Sequence, residues 1–439
     1  MRRPDVTVIG AGLAGCEAAL SLADEGFSVR LVESKPLRRS AAHASDDYCE
    51  LVCSNSLKSA DPLTAHGLLK RELRTIGSRV LEEAEKCAVP AGSALAVDRK
   101  LFSAAVTGRV RAHTNIETVH EVASAAPEGV TIIATGPLTL PPLDGFLCEK
   151  FGALHFYDAE APIVSAESID TNSAYFAARY GKGSPEDYLN CPMTREEYDA
   201  FYDALVTAER ADGHAFEKGE IFEGCMPVEI MAARGRDALR FGPMKPVGLT
   251  DPRAGKRAYA VLQLRRENAA GDMYNLVGFQ TNLKFGEQKR VFGMIPALKN
   301  AEYLRYGVMH RNTFIDAPRS IDACFRARSD GGLFIAGQLS GVEGYVESIA
   351  SGKSAALHAA RLLRGFAPEP LPSDTVIGAL ARYVAAENDN FQPMNANYGL
   401  LPPMDIRDKT ERKRAYAARS DQSLKSYLEK YTWKSEAQL

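Results

Sequence analysis

Residues 6–36, VTVIGAGLAGCEAALSLADEGFSVRLVESKP, constrain the fold more than any other part of this chain. Val6 to Ile9 is a short β-branched run of the kind that fills a buried parallel strand. Gly10, Gly12 and Gly15 follow at G-x-G-x-x-G spacing, with Ala11, Leu13 and Ala14 between them. The first glycine permits a tight turn, the second lets backbone approach a pyrophosphate, and the third lets helix and strand pack closely. A helix through Glu17 to Leu22 would turn its N-terminal amides toward phosphate. A second strand, Ser28 to Val32, ends at Glu33, an acid placed to accept hydrogen bonds from a ribose hydroxyl. Strand, fingerprint, helix, strand and terminal acid in that order read as a dinucleotide-binding βαβ unit rather than as a glycine-rich turn.

With 439 residues the chain should hold two or three domains. Its 45% hydrophobic and 25% charged residues are those of an ordinary globular protein. No apolar run approaches the length of a membrane span, and Met1 to Asp5 lead straight into the first strand, so neither a bilayer location nor a signal peptide is expected. Eight cysteines are scattered without a C-x-x-C pair, which argues against a metal site and a disulfide framework and favours a cytoplasmic location. A net charge of −3 gives no global sign of a polyanionic partner, so any nucleic-acid surface must be local.

Two more apolar strands end in glycine turns. One is Thr131 to Ile133 before Ala134, Thr135 and Gly136; the other is Leu333 to Ile335 before Gly337 and Gln338, with Gly341, Gly344 and a helix from about Glu347 to Leu363 beyond. Their distance apart suits a fold in which remote segments rejoin one sheet. No second G-x-G-x-x-G unit is present, so a separate nicotinamide domain is not expected. FAD is favoured as the resident dinucleotide, with NAD(P) as the alternative. Pro62 to Glu85 has the spacing of one amphipathic helix, and Arg407 to Lys430 that of a solvated surface helix, secondarily a basic contact for RNA. Between about 150 and 320, aromatics, prolines and short strand signals such as Tyr259 to Leu264 and Tyr274 to Phe279 suggest an inserted α+β region. The expected architecture is α/β: a Rossmann-like, glutathione-reductase-like FAD-binding domain with a doubly wound parallel sheet, formed by residues 1–150 and 321–439, with an α+β substrate domain at 151–320.

Two cysteines stand out. Cys53 lies in Glu50-Leu-Val-Cys-Ser-Asn-Ser-Leu57, where Ser54, Asn55 and Ser56 could each cap a following helix whose dipole would favour the thiolate. Cys225 follows Gly224 and precedes Pro227, a context for a sulfur exposed at a loop tip. Taken alone, each is more commonly a buried small hydrophobe, as is the similar-looking Cys191.

Several longer segments resemble one family. They are the fingerprint, Glu50 to Leu57, Val89 to Asp98, Tyr188 to Met193, Phe222 to Pro227, Phe241 to Gly248, Val277 to Thr281, Arg305 to Asn312, Gly337 to Tyr345 and Asn390 to Asn397. Together they are similar to the folate- and FAD-dependent tRNA (uracil-5-)-methyltransferases, the TrmFO family, smaller relatives of flavoproteins that modify wobble uridines. The resemblance implies transfer of a methylene carbon from 5,10-methylenetetrahydrofolate to C5 of the T-loop uridine at tRNA position 54, with electrons from NAD(P)H through FAD. It implies Cys225 as the nucleophile and Cys53 as the acid/base partner or a sulfur shielding the flavin. Gly10, Ala11, Gly12, Leu13, Ala14, Gly15, Glu33, Thr135, Gly136, Gly337, Gln338, Gly344 and Tyr345 would then hold FAD. His310 would stack on the folate pterin unless it is a satisfied core histidine; Arg311 and Lys245, with Lys284, Lys289, Arg290 and Arg305, are candidate phosphate or folate-glutamate contacts. The same chemistry on a ribosomal RNA uridine, a small-molecule flavin oxidoreductase and a non-catalytic RNA-binding flavoprotein are the competing readings.

Overall fold

A computed structural model describes residues 3–40, 42–211, 226–389 and 391–431. At its centre is a five-stranded, all-parallel sheet. Its order is Leu333–Ile335, Val130–Ile133, Val6–Ile9, Val29–Glu33, Ile116–His120. Registers run Val6 opposite both Val29 and Val130, and Leu333 opposite Thr131. Val6–Ile9 and Leu333–Ile335 are fully buried, mainly apolar runs, as strands of a covered parallel sheet are, whereas the edge strand Ile116–His120 leaves Glu117 and His120 exposed. The two glycine-ended strands, far apart in sequence, do lie side by side.

The helix Leu13–Asp24 starts directly after Gly12, and its residues from Leu13 to Ala23 are all buried. It packs chiefly on the long helix Tyr345–Leu363. Glu17, inside this contact, accepts hydrogen bonds from Ser21, Ser78 and the Val80 amide, with Lys353 also nearby. Its charge is therefore paired rather than stranded.

The segment expected to be one helix from Pro62 to Glu85 is two, Ala65–Thr75 and Arg79–Lys86. Gly77 takes a left-handed conformation (φ +71°) and the Ser78 hydroxyl accepts from the Leu81 amide, so one helix stops and the next is capped within two residues. The tail helix, Lys409–Tyr431, is more than a solvated face. Tyr416, Ala417, Leu424 and Tyr427 are buried in the main core, and Ser420 donates to the buried Glu72.

A second sheet is antiparallel, in the order Tyr175–Phe176, Tyr188–Met193, Ala260–Arg266, Met273–Leu276, Ile163–Ser165, Tyr303–Arg305. It has its own core around Tyr198, Phe201, Phe279 and Phe292. Cys191 sits in the middle of this core, where burial pushes its thiol far above the ordinary range; it is a packing residue. The chain passes between the two sheets on a two-stranded ribbon, Ala153–Ala159 against Met309–Ile315.

Candidate functional site

The glycine fingerprint is built for close approach. Gly10 has φ +100°, and a Cβ there would lie 2.7 Å from the Ala134 carbonyl oxygen; a Cβ on Gly15 would lie 1.8 Å from the Gly10 oxygen. Gly12 supplies no side-chain cap to the helix it precedes, which leaves the first-turn amides facing outward. Glu33 ends its strand buried, its carboxylate accepting from the amides of Ala11 (2.8 Å) and Lys35 (3.0 Å) and from the Ser34 hydroxyl (3.1 Å). With Gly10, Ala11, Gly12, Thr135 and Leu138 it lines a cleft with about 700 Å³ of empty space. Uncapped amides at one end and an acceptor at the other fit a dinucleotide's pyrophosphate and ribose. Thr135 also hydrogen-bonds Thr139 at 2.6 Å, which fixes the wall beside Gly136.

Leu138 lines a second cavity as well, with about 890 Å³ of empty space including its open mouth, so the two spaces adjoin. Here Cys53, Ser54 and Lys58 face Glu160, Gln280, Asn312, Gln338, Gly344 and Tyr345. The helix expected after Cys53 is absent: Ser56–Ser59 is a strand paired with Ala94–Val97, so no dipole from the next residues acts on the thiol. Asn55, buried, anchors this arrangement by donating to the carbonyls of Val97 and Arg266. The helix terminus that serves the cavity comes instead from the far end of the chain. Tyr345 opens the helix Tyr345–Leu363, and its hydroxyl accepts from the amides of Cys53 (2.9 Å) and Ser54 (3.3 Å). Burial pushes the Tyr345 hydroxyl far up, so it stays neutral and serves as an acceptor. From the other side Arg99, ion-paired with the buried Glu267 at 2.7 Å, donates to the carbonyls of Leu51 and Cys53. The Cys53 sulfur, half-buried, lies 3.8 Å from the Ala159 carbonyl oxygen.

Beneath Tyr345, Glu347 is fully buried. Burial alone would raise its pKa, but Lys58 at 3.2 Å, His66 at 3.4 Å and the Ala396 amide outweigh it and bring the carboxyl down to about 2. A folded-state value below the unfolded one gives stability that is present above about pH 4.5 and fades as pH falls toward 2. Glu347→Gln should therefore lower stability near neutral pH, by at most about 3 kcal/mol. Urea unfolding from pH 7 to pH 3 should show the gap to the parent narrowing below about pH 4.5; a gap independent of pH removes the charge argument.

Gln338, Gly344 and Tyr345 are thus brought to Cys53, whereas Gly337 lies against the glycine cradle, a Cβ there falling 3.2 Å from the Ala14 Cβ. Gln338 donates to Glu343 at 2.6 Å. Lys245 does not line the cavity; its carbonyl accepts from Arg179 in the antiparallel-sheet region. His310 and Arg311 lie on the connecting ribbon, with side chains outside the described residues, and Cys225 is outside them altogether. Arg305 pairs with Glu160 at the cavity's edge. Lys58, Glu160, Arg99 and Glu267 were not singled out in the sequence. No local pattern marks them, because their partners lie on other elements.

Rossmann sheet, glycine cradle and adjoining cysteine cavity define a nucleotide-binding protein of one recognisable class. The family model for glucose inhibited division protein A, GIDA, matches residues 5–367. Two crystal forms of Aquifex aeolicus GidA share the fold with a TM-score of 0.67, at 16% and 17% identity, covering 98% of this chain and 76% and 79% of theirs. Within that class, methylenetetrahydrofolate–tRNA-(uracil-5-)-methyltransferase TrmFO of Bacillus cereus (strain G9842) is 54% identical over 428 residues, 96% of this chain and 98% of the relative. The relative of the same name from Bacillus thuringiensis subsp. konkukian (strain 97-27) is 53% identical over the same shares. The chain belongs to the TrmFO family.

Proposed function

We propose that this chain methylates C5 of a tRNA uridine, the T-loop uridine at position 54, using 5,10-methylenetetrahydrofolate as carbon donor and NAD(P)H as reductant. The observation that carries the reading is the seating of Cys53: its amide is held on Tyr345, in a cavity that adjoins the dinucleotide cleft through Leu138. The Gly10–Gly15 cradle and Glu33 would hold FAD, which when bound supplies the two electrons that take the transferred carbon from the formaldehyde to the methyl level.

C5 of uracil is a poor nucleophile until a group adds to C6. The Cys225 thiolate would add to C6 and C5 would then bond the methylene carbon; loss of the C5 proton would expel tetrahydrofolate as the amine, and hydride addition to the carbon left on C5 would give the methyl group as the sulfur leaves C6. Cys53 would take the C5 proton or screen the reacting carbon from water; its anchoring at the amide by Tyr345 and at the carbonyl by Arg99 supports that role. Residues 151–320 form the inserted part that would receive RNA, and the reduced cytoplasm would keep both thiols free.

The test is reconstituted methylation. Purified protein should be yellow and should form 5-methyluridine in unmodified tRNA only with both methylenetetrahydrofolate and NAD(P)H present. Activity with S-adenosylmethionine in place of folate, or none with both co-substrates, overturns the reading.

A further inference from the structure

We infer that Phe285 is a base-stacking platform that receives a nucleobase of the RNA flanking the reacting uridine, an inference that rests on the methyl-transfer reading. Tyr303, Tyr306 and Phe285 form a column of nearly parallel rings. Tyr303 and Tyr306 lie 5.0 Å apart at 1°, and Tyr306 and Phe285 lie 4.6 Å apart at 16°. The inner ring is tethered, the Tyr303 hydroxyl donating to the Gln288 carbonyl at 3.3 Å. The outer ring is not covered: Phe285 is 54% exposed, and a Cβ on the next residue, Gly286, would meet nothing within 4 Å. An apolar ring left this open at the end of a stack offers a flat face of the kind a base occupies.

The mounting is rigid. Buried Gln288 donates to the carbonyls of Leu283 (2.7 Å) and Gly307 (2.8 Å) and accepts from the Gly307 amide (2.9 Å), tying both ends of the column together. It also stands at the rim of the reacting cavity. Arg305, between the two tyrosines, pairs with Glu160, which lines the Cys53 cavity, and Glu160 and Val308 are joined through their backbones at 2.8 Å. The chain on either side of the Cys225 segment is fastened to the same stretch, Ala211 to Asn282 and Val228 to Gln280. Lys289, exposed one helical turn after Phe285, shares its face and offers a cation for the phosphate next to a stacked base.

The chemistry requires such a surface. A uracil can reach a thiolate only after leaving its own stack, and its neighbours then lose a stacking partner. A protein ring that replaces the partner recovers part of that loss without reading sequence.

The experiment uses the full chain with its flavin and an unmodified tRNA transcript. Phe285→Ala should raise Kd and KM for the transcript about tenfold, the usual scale for removing one aromatic–base stack. The visible flavin spectrum and kcat at saturating tRNA should not change. Phe285→Trp should restore affinity, and its fluorescence should be quenched by tRNA. Unchanged Kd and KM in Phe285→Ala overturn the inference, as does a change of oligomeric state with RNA affinity intact, which would mean that a second copy covers the ring. Failure of the parent protein to methylate tRNA would instead strike the functional reading, while its tRNA affinity relative to Phe285→Ala would still decide the platform.

Discussion

Gly15→Ala is expected to give a protein that loses its dinucleotide and unfolds at lower temperature than the parent. The added methyl would sit 1.8 Å from the Gly10 carbonyl oxygen and 3.0 Å from its carbon, both backbone atoms of the turn that cradles the phosphates. The helix Leu13–Asp24 has nowhere to retreat. Its far side lies against Tyr345–Leu363, where the Gly352 Cβ position is 2.2 Å from the Ala14 oxygen. Overpacking of this kind costs about 3 kcal/mol or more, and any relief moves the amides out of reach of a pyrophosphate. Gly108→Ala is the control: within the helix Arg99–Ala112 its methyl would meet nothing within 4 Å, so it should be neutral or stabilise by up to about 1 kcal/mol. Visible absorbance of the purified proteins and their melting temperatures decide the matter. A yellow Gly15→Ala protein with an unchanged melting temperature would refute the close-approach account.

Removing either thiol should impair methylation, to different extents and for different reasons. Cys225→Ala should bring 5-methyluridine below detection while leaving the flavin bound, because no other group is proposed to activate C5. Cys53→Ala should lower the rate about 10²-fold or more, the scale of a lost acid/base group. Because the Cys53 amide, not its sulfur, is held by Tyr345, the alanine variant keeps that hydrogen bond and its fold. Single-turnover assays on unmodified tRNA should separate the two. Full activity in Cys225→Ala would reassign the nucleophile; a parental rate in Cys53→Ala would reduce its sulfur to a packing atom.

How far the sequence speaks depends on whether the cause is local. The fingerprint strand, helix and Glu33 were legible because each glycine's role is set by residues within a few positions, and the structure puts them where the spacing implies. The break at Gly77 and Ser78 carried a readable signal, a glycine followed by a capping serine, that the strong apolar periodicity on either side obscured. Residues 54–56 misled for a physical reason: serine and asparagine cap helices but also tie turns, and pairing of Ser56–Ser59 with Ala94–Val97 decides between them at long range. The grip on Cys53 was illegible in the same way. Arg99 and Tyr345 reach it from other elements, and nothing in the neighbourhood of either residue announces the contact.

The edge strand Leu333–Ile335 has a consequence for biogenesis. During vectorial synthesis the sheet's other four strands are made long before it is, so Thr131–Ile133 presents an unpaired, apolar border until residues 333–335 of the 439 have been made. The cofactor cradle and its cysteine neighbour can therefore close only once this late strand, and Tyr345 just beyond it, have joined the sheet.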